Sequence, residues 1–331
     1  MKFLRSGRSR ALFFQIVALA AVLGALAYIV HNTMVNLETR KIASGFAFLG
    51  REAGFEIGES PFVAYSAADN YGRALLVGLL NTIRVAVIGV VLATMLGTLV
   101  GLARLSTNWL LARIADAYVE VIRNIPLLVQ LFFWYVVITD KLPGPREAMN
   151  PLPGVFLSNR GIAMPGVESH PAHLWVLFAF ITALAIAGFV ARWARSRQER
   201  TGAPFASFWA GTGIALGLPL AVFLAAGAPG KLDVPQLSGF NFTGGVVLTP
   251  EYATLLMGLV AYTAAFIGEI VRAGILAVHR GQVEAANALG LSRPQVLRLV
   301  VIPQAMRVII PPLTSQYLNL TKNSSLAVAI G

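Results

Sequence analysis

Glu269 and Arg272 sit three residues apart inside the apolar stretch 252–276. A charge in such a stretch is costly unless it is paired or lines a polar cavity. A spacing of three puts both side chains on one helix face, where they can pair with each other. Asn81 and Arg84, Arg123 with Asn124, and Lys322 with Asn323 and Ser324 place polar groups in other apolar stretches. Groups of this kind line a polar path or satisfy backbone; for Arg123, close to Pro126, bonding to freed carbonyls is an equally good account. Asp116 and Glu120 fall near the start of a helix, where the helix dipole explains them. Catalysis finds no support, because no Ser/Lys pair, aspartate pair or histidine cluster stands in these stretches. His170-Pro-Ala-His173 with Glu168 is too thin a ligand set for a metal, so none is expected. The chain has no cysteine, which excludes thiolate chemistry and Cys-bound zinc.

The elements that position these residues are membrane helices. The 331 residues are 56% hydrophobic and 12% charged, and the mean hydropathy of +0.71 exceeds that of a soluble domain. A span takes about 20 apolar helical residues, and stretches of roughly that length run at 11–30, 74–103, 117–138, 174–190, 205–226 and 252–276. A seventh, 305–320, carries Pro311-Pro312 and is expected to be kinked or broken there. The fold class is therefore an all-α polytopic membrane protein of about seven spans. The net charge of +11 is assigned to inner loops and not to nucleic acid binding.

Lys and Arg bias gives the orientation. With the N-terminus inside, inner segments collect Lys2, Arg5, Arg8, Arg10, Arg104, Arg113, Arg192, Arg195, Arg197, Arg200, Arg272, Arg280, Arg293, Arg298 and Arg307. Outer segments hold fewer bases, Arg40, Lys41, Arg51, Arg73, Lys141, Arg146, Arg160 and Lys231, and most of the acids, including Glu38, Glu52, Glu56, Glu59, Asp69 and Glu168. The expected organisation is an N-terminal membrane helix at 1–31, an outer segment at 32–72 and a transmembrane domain at 73–331. A basic start and Ala25-Leu-Ala27 also fit a cleaved signal peptide, but the apolar length favours a retained helix. The long outer segments, rich in Gly and Pro, read as ordered, irregular loops.

Between the last two stretches, 279–305 forms a structured inner knuckle. Gly281 serves as N-cap, putting Glu284 third in a helix continued by Ala285, Ala286 and Ala288. Gly290 stands where a left-handed residue would reverse the chain, and Leu291 follows as its apolar companion. Ser292-Arg-Pro-Gln295 then reads as a capping box opening a second short helix, with Val296, Leu297, Leu299 and Val300 resting it on the membrane.

Glu284-Ala-Ala286, Gly290, Val300, Ile302 and Pro303 have the spacing of the signature cytoplasmic loop of ABC importer permeases, and the knuckle resembles it closely. The resemblance extends through Ala261-Tyr-Thr-Ala-Ala-Phe-Ile-Gly-Glu-Ile-Val-Arg-Ala-Gly-Ile275, Tyr118-Val-Glu-Val-Ile-Arg-Asn-Ile-Pro-Leu-Leu-Val-Gln130 and Leu320-Thr-Lys-Asn-Ser-Ser-Leu326, which look like the polar amino acid uptake branch. Asn81-Thr-Ile-Arg-Val85 and the long insertions are most similar to the general L-amino-acid permease subunits. This resemblance implies a type I importer-like transmembrane domain in a bacterial inner membrane. It also implies coupling to an ATPase through Glu284, Ala285, Ala286, Gly290, Leu291 and Pro303. Asn81, Arg84, Arg123, Asn124, Glu269, Arg272, Lys322, Asn323 and Ser324 are the implied lining of a path for a zwitterionic substrate. The implied partners are a second homologous permease subunit, ATP-binding cassette subunits holding ATP and Mg, and a periplasmic amino-acid-binding protein. The chain itself is expected to bind no cofactor, since its only Gly-Lys, Gly230-Lys231, is followed by Leu232 and makes no phosphate loop. Family members continue past Leu326-Ala-Val-Ala-Ile-Gly331 into another membrane helix, so that helix is expected to be missing. An ion-driven transporter or channel is the alternative.

Overall fold

The computed structural model describes residues 7–40 and 45–330; Lys2, Arg5 and Lys41, used for orientation, lie outside them, as does the side chain of Arg8. Two compact units divide at Arg84, within a single long helix.

In the first unit α1 (Gly7–Thr39) continues beyond residue 31. Its apolar side chains are exposed all round, from Leu12 and Phe14 to Tyr28, as in a helix that meets lipid on every side. The segment after it folds on aromatic contacts: Phe55 lies against Tyr65 and Tyr71, and Phe48 meets Tyr71 edge-on. Tyr71 opens α2 (Tyr71–Ala103). The same segment delivers Glu59 to α2, where its carboxylate accepts from Arg84 at 2.8 Å and its carbonyl accepts from Asn81 Nδ2 at 2.6 Å.

The second unit is built round α7 (Pro250–Leu276), which is buried along most of its length. It packs against α3 (Trp109–Asn124), α4 (Leu127–Val136) and α10 (Ile302–Asn323). The second half of α2 joins them through small residues. A Cβ added at Gly97 would stand 2.6 Å from Ile267 Cβ, and one at Gly101 would stand 2.7 Å from the Gly268 carbonyl. This Gly-x-x-x-Gly pair lets two backbones meet closely, as membrane helices do. Gly101→Ala is therefore expected to lower stability by about 1–3 kcal/mol, whereas Gly78→Ala on the same helix, with nothing within 4 Å, is expected to be neutral or stabilising; thermal unfolding in detergent separates the two.

Among the described residues six helices are long and apolar enough to span, or seven if one bent pair counts as a span. That pair corrects the expectation of a single span at 117–138. α3 and α4 meet at 104°, because Pro126 forces Ile125 out of the helical region, to φ −100° and ψ 128°. Pro311 and Pro312 have the opposite outcome: α10 runs through them unbroken. The two prolines withhold donors only from the Arg307 and Val308 carbonyls, a loss that membrane helices tolerate where their surroundings re-satisfy the freed groups.

Of the three long segments, 45–70 is irregular apart from one short turn of helix, as expected, but the later two are built of strands. β1 (Met149–Leu152), β2 (Val155–Ser158) and β3 (Gly161–Met164) form an antiparallel meander. β3 then pairs with β8 (Val246–Leu248), immediately before α7. β4 (Gly166–Val167) pairs with β5 (Leu232–Asp233), and β6 (Gln236–Ser238) with β7 (Asn241–Thr243). The Gly and Pro residues that suggested irregularity are the hairpin turns: Gly154 and Gly239 adopt φ of 77° and 65°, as short reversals require. Between these strand groups, α5 (Ala172–Thr201) and α6 (Ser207–Ala225) form a helical hairpin packed chiefly on itself.

Candidate functional site

The knuckle begins one residue pair earlier than expected. His279, not Gly281, is the N-cap of α8 (Arg280–Ala288), and its Nδ1 accepts from Gly281 N at 3.1 Å. Gly281 lacks the side-chain acceptor that His279 supplies, so Glu284 stands fifth in the helix and not third. Glu284 and Ala285 are exposed, while Ala286 is buried. The C-terminal cap is as expected: Gly290 takes φ 78°, Gly290 N donates to Asn287 O at 2.9 Å and Leu291 N to Ala286 O at 3.2 Å. These two bonds satisfy the last carbonyls in the Schellman pattern. Ser292 N then donates to Gln295 Oε1 at 2.8 Å, the backward arm of a capping box.

The helix opened by this capping box is not a separate short one. α9 (Arg293–Val296) passes through a five-residue π-turn, Leu297–Val301, straight into α10. Ile302 N bonds back to Leu297 O, a spacing of five. Pro303 has no N–H for the carbonyl a turn below, and the widened turn accommodates it. Leu297 and Leu299 are half or more exposed on this turn, and Leu289 projects from the end of α8 at 82% exposure. The knuckle thus presents a small, rigid ridge of Glu284, Ala285 and Leu289.

A charge cluster stands beside the last turns of α7. Arg272 Nη2 donates to Glu269 Oε1 at 2.8 Å, the intrahelical pair expected from their spacing. Arg104, just past the end of α2, donates to the other Glu269 oxygen and through Nε to Asp116 Oδ1 at 2.6 Å. Arg123 is 3.8 Å from Glu269 and lies over the Phe266 ring at 5.0 Å. One carboxylate on α7 therefore ties together α2, α3 and its own helix. The cluster borders a cavity of about 520 Å³ to which Arg113, Glu120 and Asn124 also contribute. Its wall mixes guanidinium groups with carboxylates, so it offers partners to both ends of a zwitterion.

Of the residues expected along a path, Arg123, Asn124, Glu269 and Arg272 come together here. Asn81 and Arg84 are engaged with Glu59 instead. Lys322 and Asn323 close α10, and Ser324 turns inward and donates to Thr321 O at 2.7 Å. Asp116 and Glu120 are the eighth and twelfth residues of α3 and not near its start, beyond the reach of the helix dipole; Asp116 is held by Arg104 instead. Arg123 does not cap the freed carbonyls at the Pro126 break. Gln130, 4% exposed, does so: its Nε2 donates to Ile122 O at 2.8 Å and to Ile125 O at 2.9 Å. A glutamine in an apolar run four residues after a proline was the available signal. Gln130→Leu is expected to cost about 1–3 kcal/mol by leaving both carbonyls unsatisfied, read as a lower thermal midpoint. His170 and His173 are engaged locally, His173 Nε2 lying 2.9 Å from Pro229 O.

Residues 204–331 match the family described as binding-protein-dependent transport system inner membrane component. The general L-amino acid transport system permease protein AapQ of Rhizobium johnstonii is 50% identical over 322 residues, 97% of this chain and 80% of that protein. The chain belongs to the ABC transporter permeases. The putative amino-acid ABC transporter permease protein YhdX of Escherichia coli strain K12 is 49% identical over 97% of this chain and 82% of its own. The glutamate/glutamine/aspartate/asparagine transport system permease protein BztB of Rhodobacter capsulatus is 41% identical over 98% and 82%. This permease is thus an integral inner-membrane component of a binding-protein-dependent transporter, and its capped knuckle falls inside the matched family segment.

Proposed function

We propose that this permease forms half of the translocation path of an ATP-driven L-amino-acid importer. A second, homologous permease subunit supplies the other half. The observation that carries the substrate class is the 50% identity to AapQ across nearly the whole chain. The mixed-charge cavity beside Glu269 is consistent with it, because an amino acid presents a carboxylate and an ammonium that Arg113 or Arg123 and Glu120 can meet. With the N-terminus in the cytoplasm, the ridge of Glu284, Ala285 and Leu289 enters a cleft of the ATPase subunit, while Gly290, Leu291 and Pro303 set its shape. ATP and Mg are held by that partner, and this chain catalyses nothing.

The deciding experiment uses the complete assembly in proteoliposomes with its binding protein. Several L-amino acids should stimulate ATP hydrolysis and accumulate in the lumen. Silence toward every amino acid would overturn the substrate class, and uptake driven by an ion gradient without nucleotide would overturn the importer itself. Orientation is tested separately, since the chain has no cysteine of its own. An impermeant maleimide should label Leu237→Cys in intact spheroplasts and reach Ala288→Cys only after lysis.

A further inference from the structure

The hairpin of α5 and α6 has a charged end that the transport reading leaves unused. At 30 residues α5 is about 45 Å long, well beyond the roughly 30 Å of a hydrocarbon core. α6, at 19 residues, is about 28 Å and just spans. The aromatic residues show where the surplus lies. Trp175 and Trp193, both exposed, are about 27 Å apart along α5, so they mark the two interfaces where tryptophan settles. Trp193 meets Phe205 edge-on at 5.4 Å, and Phe208 meets Trp209 at the same distance near the start of α6. This aromatic belt fixes the depth of one end, and the final turns of α5 project beyond it into the headgroup layer.

Those turns carry Arg195, Arg197 and Arg200, with Glu199 as the only acid, and Arg192 stands at the belt itself, next to Trp193; all are exposed. The buried face of α5 is a stripe of Ala172, Ala179, Ala183 and Ala194. At about 100° per residue, Arg192 and Arg195 lie more than a third of a turn from its mean direction, pointing away from α6, while Arg200 stands about a quarter turn from it and Arg197 is on its side. Arg197 folds back over the Trp193 ring, 5.6 Å from its centre, which holds its guanidinium at the belt. Among the described residues none of the four arginines is in an ion pair. Guanidinium forks facing the headgroup layer match phosphate oxygens, and the inner leaflet is the anionic one.

We infer that the α5 end formed by Arg192, Arg195, Arg197 and Arg200 is a binding site for anionic phospholipid headgroups of the inner leaflet. The site rests on the proposed orientation, and its occupant anchors a helical hairpin that is packed chiefly on itself.

The permease assembly, reconstituted in nanodiscs of mixed phosphatidylglycerol and phosphatidylcholine, is released into the gas phase for native mass spectrometry. Retained phosphatidylglycerol should exceed its share of the bilayer. Arg195→Gln or Arg200→Gln alone should reduce that preference about five-fold, as one basic residue near a charged surface contributes. Replacing all four arginines with glutamine should abolish it, and replacing all four with lysine should keep most of it along with normal insertion. An unchanged preference in the single glutamine variants, or no preference in the parent protein, would overturn the site and leave the arginines as orientation signals only. Both leaflets of a nanodisc have the same composition, so this readout does not depend on orientation. Labelling of Ser196→Cys from outside spheroplasts would instead overturn the inner-leaflet assignment.

Discussion

Gly290→Asp leaves the permease in the membrane and reduces ATP-driven uptake at least about ten-fold. The backbone at this position is left-handed, with φ 78°, and an L residue there costs about 1–2 kcal/mol. Aspartate is among the residues that tolerate it best. A Cβ at Gly290 would meet nothing within 4 Å, so no clash adds to the strain. The loss is located at the docking face, where a carboxylate is introduced beside Leu289 and the reversal after α8 is loosened. Glu284→Lys is the companion: exposed and without a close structural role in the chain, it should leave thermal stability nearly unchanged while uncoupling uptake to a similar degree. ATPase stimulation and substrate accumulation are measured on the same preparations, with membrane abundance as the control. Survival of uptake in both variants would place ATPase docking elsewhere.

Glu269→Gln is expected to be the most destabilising single change among the charged residues. It leaves Arg104, Arg123 and Arg272 facing a neutral amide, with Asp116 as the remaining carboxylate on Arg104. Breaking a fully buried pair by removing one partner costs about 3–5 kcal/mol; Arg104 is largely buried, but Glu269 keeps about a quarter of its side chain exposed, so a loss of about 2 kcal/mol is the sounder expectation. A double-mutant cycle with Arg104→Gln checks it, because the two losses should be strongly non-additive if the pair is what holds α2 to α7. Additive losses would mean that Glu269 acts through Arg272 or Arg123 and not through Arg104.

Much of the fold and of the knuckle was legible in the residues, and the parts that were not have a common cause. Spans were readable because apolar length is a property of one segment. So was the glycine reversal of the knuckle, since Gly290 followed by Leu291 specifies its cap locally. The pairing of Glu269 with Arg272 comes from a spacing of three. The remainder depends on residues distant in sequence. Nothing near Glu269 announces Arg104, 165 positions away, and nothing near β3 announces its partner β8 across the whole helical hairpin. The N-cap went to His279 because a ring nitrogen two residues before Gly281 competes for the same role. Prolines misled in both directions: Pro126 broke a helix whose apolar pattern continued, and Pro311-Pro312 left one intact. The difference is that Ile125 is free to extend at the first site because Gln130 repairs the carbonyls there.

The π-turn before Pro303 sets the rotational phase of everything beyond it. In an uninterrupted α-helix Val296 and Ala305, nine residues apart, would face opposite sides, about 180° from each other. Both are buried. One extra residue in the turn winds the distal helix back by about 100°, which brings the two toward a common side and leaves Ile309 against Gly274. The wide turn therefore works as an indexing tooth between the knuckle and the last helix. Deleting one residue from Leu297–Val301 would straighten the backbone yet present the wrong face of α10 to α7, and losing or regaining that tooth would turn Lys322 through the same angle.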